Sequence, residues 1–316
     1  MNYTSLDSYK VFISPSETVL FYSEENNEIE EFNELISSKE NYVKDVDKNI
    51  ITSFTTMLKH INSFYNPDTF VKITYPVYYI NMDKNPDRKE FMETQLKKYT
   101  TSFTRIRGFN GYGITNLKKD TVDNIEFTCD YDNMSKGEIG CTMSHLLSIK
   151  KAYDNGNEYA LVVEDDILLN LLPILDVTIK ELVENAPNDW EILQLNTCEP
   201  KMIIELYNRY STGELWSKWK NNSSTMSYII NEKGMKTIID TCIQFYNNKI
   251  VYNLLCNKQI MADIFFYKLV NTYISTFPLF NYYISTSSIN DQNAISQKTS
   301  NEIINNIYSN ICYVNL

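Results

Sequence analysis

The sequence is short of the residues that break or staple chains. Among its 316 residues are only eight Gly, eight Pro and two His. So few Gly and Pro exclude a linker-rich or fibrous chain. With 43% hydrophobic and 22% charged residues, the composition is that of a globular protein large enough for one big domain or two. The six cysteines (Cys129, Cys141, Cys198, Cys242, Cys256 and Cys312) form no C-x-x-C pair, which argues against a zinc ribbon or a redox motif. Scattered singly, they read as reduced residues of the interior. There is no G-x-x-x-x-G-K-[ST] phosphate loop and no G-x-G-x-x-G dinucleotide loop, which disfavours an NTPase or a dehydrogenase. Positive charge is also scarce. A net charge of -11 repels a nucleic-acid backbone, so no nucleic-acid partner is expected. No apolar run reaches the roughly 18 residues of a membrane span. The first twenty residues lack the basic and then apolar pattern of a signal peptide. The chain is therefore expected to be soluble, either cytoplasmic or lumenal.

Residues 1–70 read as an N-terminal extension, mainly helical and without recognisable chemistry. Glu24, Glu25, Glu28, Glu30, Glu31 and Glu34 alternate with Ile29, Phe32, Leu35 and Ile36 at helical spacing, and a second helical pattern runs from Ile50 to Ile61. Residues 71–316 read as one α/β domain. Strand patterns at 76–82, 103–108, 159–164, 191–196, 226–231 and 272–277 alternate with helical ones at 85–99, 135–156, from Glu232, and around 257–270. That alternation predicts a largely parallel sheet. Ser135 and Glu138 fit an S-x-x-E capping box, and Asn155-Gly156 supplies a stop.

One stretch concentrates chemistry. The apolar run Ala160–Val163 meets three consecutive acids, Glu164, Asp165 and Asp166, and then Ile167 to Leu169 turn apolar again. Ligands of parallel α/β sheets bind beyond the carboxyl ends of the strands, and these acids sit at such an end. Strand alternation would point Glu164 and Asp166 to one side and Asp165 away. Two hard oxygen ligands suit Mg2+ or Mn2+, leaving positions for phosphate oxygens, and an ion would relieve the mutual repulsion. A turn-capping role accounts for one acid but poorly for three. The same local pattern could serve a metal-dependent phosphohydrolase, although such a site usually needs further acids or histidines, and only His60 and His145 are present.

Four blocks in order, "YYINMDKNPDRKEFM", "FTRIRGFNG", "SKGEIGCTMSHLLSIKKA" and "YALVVEDDILL", resemble glycosyltransferase family 25, which includes bacterial lipopolysaccharide glycosyltransferases and procollagen galactosyltransferases. The resemblance covers residues 76–290, most clearly 76–170. It implies a GT-A type fold, a nucleotide-sugar donor, a divalent metal and inversion at the anomeric carbon. UDP-galactose is the first expected donor and UDP-glucose the second. The acceptor would be a glycan or a hydroxylated protein.

Carried over position by position, the resemblance puts the metal-binding acidic motif on Glu164, Asp165 and Asp166. Asp166 becomes the direct metal ligand, and Glu164 assists at the metal or the ribose. Asn81, Asp83 and Arg88 fall near the nucleotide. Asn110 stands where the family carries an acid, which leaves it hydrogen bonding to base or ribose. Lys136 adds charge at a helix N-terminus that favours a diphosphate. An inverting transfer needs a base, and Asp263 falls at a family acid among Met261, Ile264, Phe265 and Phe266; apolar company raises a carboxyl pKa. Asp165 and Glu191 are the next candidates. His145 reads as a packed or hydrogen-bonded residue. Trp190, Trp216 and Trp219 read equally as packing residues or sugar platforms. A degenerate relative that binds donor or glycan without turnover is the remaining alternative.

Overall fold

The computed structural model describes residues 9–13, 19–23, 70–129, 135–169, 172–175, 177–246, 249–254, 261–282, 299–304 and 306–308. The chain divides into two units, Met1–Phe70 with Asn310–Leu316, and Val71–Ser309. In the first unit, β1 (Tyr9–Ile13) and β2 (Val19–Ser23) pair antiparallel, with Tyr9 opposite Ser23. Both strands are rich in β-branched and aromatic residues, which suits a pleated ladder. This hairpin precedes the stretch in which the helices of the extension are expected. The two amphipathic helices expected between residues 24 and 61 lie outside the described residues.

The second unit alternates strands and helices. In chain order it contains β3 (Val77–Asn81), α1 (Pro86–Tyr99), β4 (Phe103–Arg107), β5 (Lys119–Val122), β6 (Ile125–Thr128), α2 (Lys136–Asp154), β7 (Tyr159–Glu164) and β8 (Ile167–Leu168). It continues with α3 (Ile179–Glu184), β9 (Ile192–Gln194), α4 (Pro200–Tyr210), β10 (Trp216–Lys218), β11 (Ser227–Asn231), α5 (Glu232–Cys242), β12 (Ile243–Tyr246) and β13 (Lys249–Asn253). Then come α6 (Ala262–Leu269), β14 (Thr272–Ser275) and β15 (Asn281–Tyr282), and residues 299–304 and 306–308 are helical.

The main sheet has seven strands in the order β10-β14-β9-β11-β7-β3-β4. It is mixed rather than largely parallel. β3 runs parallel to β4 and β7, and β14 to β9, whereas β11 is antiparallel to both of its neighbours and β10 to β14. A strand's direction depends on which neighbours it meets, and periodicity carries no such information. The reversal of β11 has a consequence for function: its first residues lie beside the last residues of β7, with Ser227 opposite Val163 and the Glu164 amide donating to the Met226 carbonyl at 2.9 Å.

The core forms where α2 lies against β3 and β7. Ile139, Met143, Leu146 and Ile149 of α2 are buried at helical spacing, against Ala160 and Val162 of β7 and Tyr228 and Ile230 of β11. A second sheet, in the order β12-β13-β6-β5, went unread in the sequence; its β13–β6 pairing joins segments about 125 residues apart. Its tight turn at Asp123-Asn124 uses two positive φ values of 50° and 64°, which Asp and Asn tolerate better than most residues. Among the described residues no helix is long and apolar enough to cross a membrane.

Candidate active site

The carboxyl ends of β3 and β7 lie side by side, and a cavity of about 200 Å³ opens there. Its walls come from the end of β3, the first turn of α1, the loop after β4, the first three turns of α2 and the chain around the end of β7, with Met226 and Tyr282. All four blocks that carry the family resemblance thus meet at the cavity, and the second and third are bonded directly to each other. Phe109 N–H donates to Ser144 Oγ at 2.8 Å, and the same hydroxyl donates to the Gly140 carbonyl. The loop can lie this close because two glycines face each other. A Cβ on Gly111 would come within 1.9 Å of the Lys136 carbonyl oxygen, and one on Gly140 would meet the Gly111 nitrogen at 3.1 Å. Gly111→Ala is therefore expected to destabilise the protein by about 1–3 kcal/mol, as overpacking against rigid backbone does. A denaturant midpoint unchanged from wild type would show that the loop can move away freely.

The acidic triplet does not continue the strand. β7 ends at Glu164, the chain turns at Asp165-Asp166, and β8 then pairs with β15, Tyr282 opposite Ile167. The turn overrides the alternation expected from the sequence. Asp165 and Asp166 both reach the Arg88 guanidinium, Asp165 through Oδ1 and Asp166 through Oδ2 at 3.0 Å, whereas Glu164 faces α2. Helix α1 holds this turn from behind. Arg88 and Gln95 are seven residues apart and share a face. Gln95 accepts from the Leu169 amide at 2.8 Å and donates to the Ile167 carbonyl at 3.1 Å.

Burial raises the carboxyl pKa of both aspartates. For Asp165, Arg88 and the Asn81 amide pull the other way without cancelling the rise. For Asp166, burial and then the neighbouring Glu164 push the carboxyl from the ordinary 3.8 up to about 7. The Asp166 Oδ1 atom is buried without a hydrogen-bond partner, and so is Arg88 Nε. Glu164 is different. Burial opposes its ionisation, but His145 and a hydrogen bond from Thr225 at 2.9 Å outweigh it and hold the carboxyl below its usual range.

Glu164 belongs to a second, buried network. His145 is 1% exposed, with Nε2 at 3.3 Å from Glu164 Oε1 and Nδ1 at 3.2 Å from the Tyr228 hydroxyl. Cys141 stands one turn before His145, and ligand atoms of Cys141, His145 and Glu164 lie within 4.8 Å of one another. That soft and mixed donor set suits zinc rather than Mg2+ or Mn2+. Burial, with the charge of Glu164 nearby, pushes the Cys141 thiol well above its usual pKa, and the hydrogen bonds of His145 and Thr225 account for the arrangement without an ion. His145 is thus hydrogen-bonded, as read from the sequence, but it also lines the cavity. The i, i+4 spacing of Cys141 and His145 was the available signal.

The other residues singled out in the sequence separate into two groups. Asn81 lines the cavity but is 1% exposed and fully engaged as a cross-link: its Nδ2 donates to Asp165 Oδ2 at 2.6 Å, and its Oδ1 accepts from Arg105 at 3.0 Å. Asp83 points out of the cavity to Arg105 and Arg107 at 2.7 and 2.5 Å. Asn110 and Lys136 are exposed, beside cavity residues rather than among them. Asp263 sits in the first turn of α6, outside the residues that line the cavity but within electrostatic reach of Glu164; burial raises its pKa although the Ser224 amide donates to it. Glu191 lies at the opposite end of the sheet, accepting from the Asn271 amide and pairing with Lys233, which removes it as a base. Trp190 stacks on Tyr159 there, Trp216 donates to the Leu182 carbonyl, and Trp219 donates to the Asn222 carbonyl, so all three are packing residues. Lys84 and Tyr112, which sequence reading passed over, stand at the cavity with Nζ 4.9 Å from the ring centroid. Tyr112 is 64% exposed, and an exposed aromatic beside a cation has no distinctive sequence pattern.

The family model of Glycosyltransferase family 25 (LPS biosynthesis protein) matches residues 74–255, more than half of the chain. Among curated proteins, procollagen galactosyltransferase 2 of Mus musculus is 24% identical over 218 residues, which are 62% of this chain and 33% of that protein. Its Homo sapiens counterpart is 22% identical over 180 residues, 52% and 27% of the two chains. A Bos taurus protein named probable inactive glycosyltransferase 25 family member 3 is 24% identical over 175 residues, covering 52% of this chain and 28% of that one. The chain spans about a third or less of the length of these relatives.

Proposed function

The chain belongs to glycosyltransferase family 25, and from that premise we propose that it transfers a hexose from a UDP-sugar to an acceptor hydroxyl, with the cavity at Asp166 as its donor site. The reading is carried by one observation. A carboxylate oxygen, Asp166 Oδ1, and a guanidinium nitrogen, Arg88 Nε, are both buried without partners in one ion pair at the cavity. Leaving such groups unpaired is costly. The oxygen suits a cation and the nitrogen an anionic oxygen, and a metal-bound nucleoside diphosphate offers both.

Asp166, assisted by Glu164, would hold Mn2+ or Mg2+. The ion supplies charge stabilisation to the departing diphosphate. The remaining roles belong to side chains of this protein. Arg88 and Lys84 bring positive charge to the phosphates. Tyr112 offers the base a stacking face. His145 and Thr225 orient Glu164, and Asp165 with Asn81 anchors the turn. With both carboxylate oxygens engaged, Asp165 serves as an anchor in this proposal rather than as the base. Inversion requires deprotonation of the acceptor hydroxyl on the face opposite the leaving group. Asp263 is the proposed base; its raised pKa and its contact with Ser224, next to the Glu164 partner Thr225, support that role. UDP-galactose is the preferred donor, then UDP-glucose, and a glycan or hydroxylated protein is the acceptor.

The test is a panel of nucleotide sugars with Mn2+ on the intact chain. A donor at 100 times its Kd stabilises the fold by about 2.7 kcal/mol, which a thermal scan resolves. UDP-hexoses are expected to raise the melting temperature only with metal, and absence of any shift across the panel overturns the reading. Donor binding without transfer to any acceptor would favour a degenerate relative. Rapid hydrolysis without acceptor would favour a phosphohydrolase.

A further inference from the structure

The two orphaned atoms lie in a single ion pair, and that pairing points to more than a place for ligand. Arg88 reaches both Asp165 and Asp166, so the guanidinium is the cation these two carboxylates hold in this structure. The grip leaves Arg88 Nε and Asp166 Oδ1 unsatisfied, although both are shut off from water. Asp165 grips Arg88 through the shorter contact and has a further partner in Asn81, whereas Asp166 Oδ2 lies 3.0 Å from the guanidinium and its Oδ1 has no hydrogen-bond partner. The Arg88–Asp166 contact is thus the weaker half of the fork.

We propose that Arg88 is a built-in counter-ion that couples metal and diphosphate binding: it competes with the divalent cation for Asp166 and is drawn off when a diphosphate offers it phosphate oxygens. The inference rests on the donor-site reading and adds regulation to that site. Metal alone must compete with a tethered guanidinium and binds weakly. Diphosphate alone meets an arginine already held by two carboxylates. Together, each ligand relieves the obstacle to the other. By linkage the coupling is reciprocal, UDP tightening Mn2+ by the same factor as Mn2+ tightens UDP.

The sign of one effect separates this role from a structural one. Removing a positive charge beside a metal site should strengthen the binding of metal alone if Arg88 is a competitor. If Arg88 merely holds the acids in place, its removal should weaken it. The experiment is calorimetry of the intact chain with Mn2+ alone, UDP alone and UDP in saturating Mn2+, on wild type, Arg88→Gln and Arg88→Lys. Thermal scans without ligand establish which variants are folded. In wild type the coupling should fall in the usual range of about 5- to 150-fold. In Arg88→Gln, Mn2+ alone should bind on the order of 10-fold tighter, while the coupling collapses toward one. Arg88→Lys keeps the charge but cannot fork across two carboxylates, so it should shift both quantities in the same directions by less. This variant carries the test if Arg88→Gln does not fold. Weaker or unchanged Mn2+ affinity in a folded Arg88→Gln overturns the role of Arg88. So do wild-type values in Arg88→Lys when it alone is folded. Wild type that binds no UDP even in saturating Mn2+ overturns the donor site itself, and this inference with it.

Discussion

Asp166→Asn is expected to abolish metal-dependent UDP binding, lowering affinity by about 100-fold or more, since loss of even an outer-shell partner of a metal site costs 10- to 100-fold. The fold should survive. In the ligand-free protein the Asp166 carboxyl is pushed up to about 7 from the ordinary 3.8, by burial first and Glu164 second. A group whose folded pKa lies above its unfolded value gives its full stabilisation below the unfolded pKa and loses it as pH rises through the folded one. For Asp166 that window runs from about 4 to about 7. Above it the ionised carboxylate is a burden on the ligand-free fold, and the neutral amide of Asn is not. At pH 8 without metal, Asp166→Asn should therefore melt no lower than wild type, while calorimetry with Mn2+ detects no UDP. For the same reason wild-type metal binding should weaken as pH falls below about 7, where a proton competes for the carboxylate. UDP binding undiminished in the variant would remove Asp166 from the site.

Asp263→Asn should act on turnover and spare the donor. Loss of a general base costs about 10²- to 10⁴-fold in rate, whereas UDP affinity in the presence of Mn2+ should stay near wild type. The substitution keeps the shape and the acceptor oxygen that the Ser224 amide uses, and removes the basicity. Both quantities must be measured on one preparation, with a true acceptor for turnover. Near-normal turnover eliminates Asp263. Glu191 is no substitute, tied as it is to Asn271 and Lys233 at the far end of the sheet. Loss of affinity together with turnover would assign Asp263 to the architecture of α6 and the Ser224 loop. Affinity kept and turnover lost is the result that supports a base.

The sequence by itself determined a good part of this protein. Pro86 at a helix start, the Ser135–Glu138 capping box and the apolar run before Glu164 are local signals, and each element formed where its signal stood. Such features depend on residues a few positions apart, so a linear reading captures them. The four ordered blocks also carried the family, because spacing along a chain is itself sequence information.

Tertiary structure decided the rest. That β11 runs against β7, bringing Thr225 to Glu164, follows from pairing between segments more than sixty residues apart. That Asp165 sides with Asp166 rather than opposing it follows from a turn fixed by Arg88 and Gln95 on another element. That Asp83 serves Arg105 and Arg107, while Tyr112 and Lys84 stand at the cavity, depends on which way each loop leaves its strand. Even the pKa of Asp166 is a tertiary property. Desolvation and a neighbour's charge act through space, and the chain brings their sources together only when it folds.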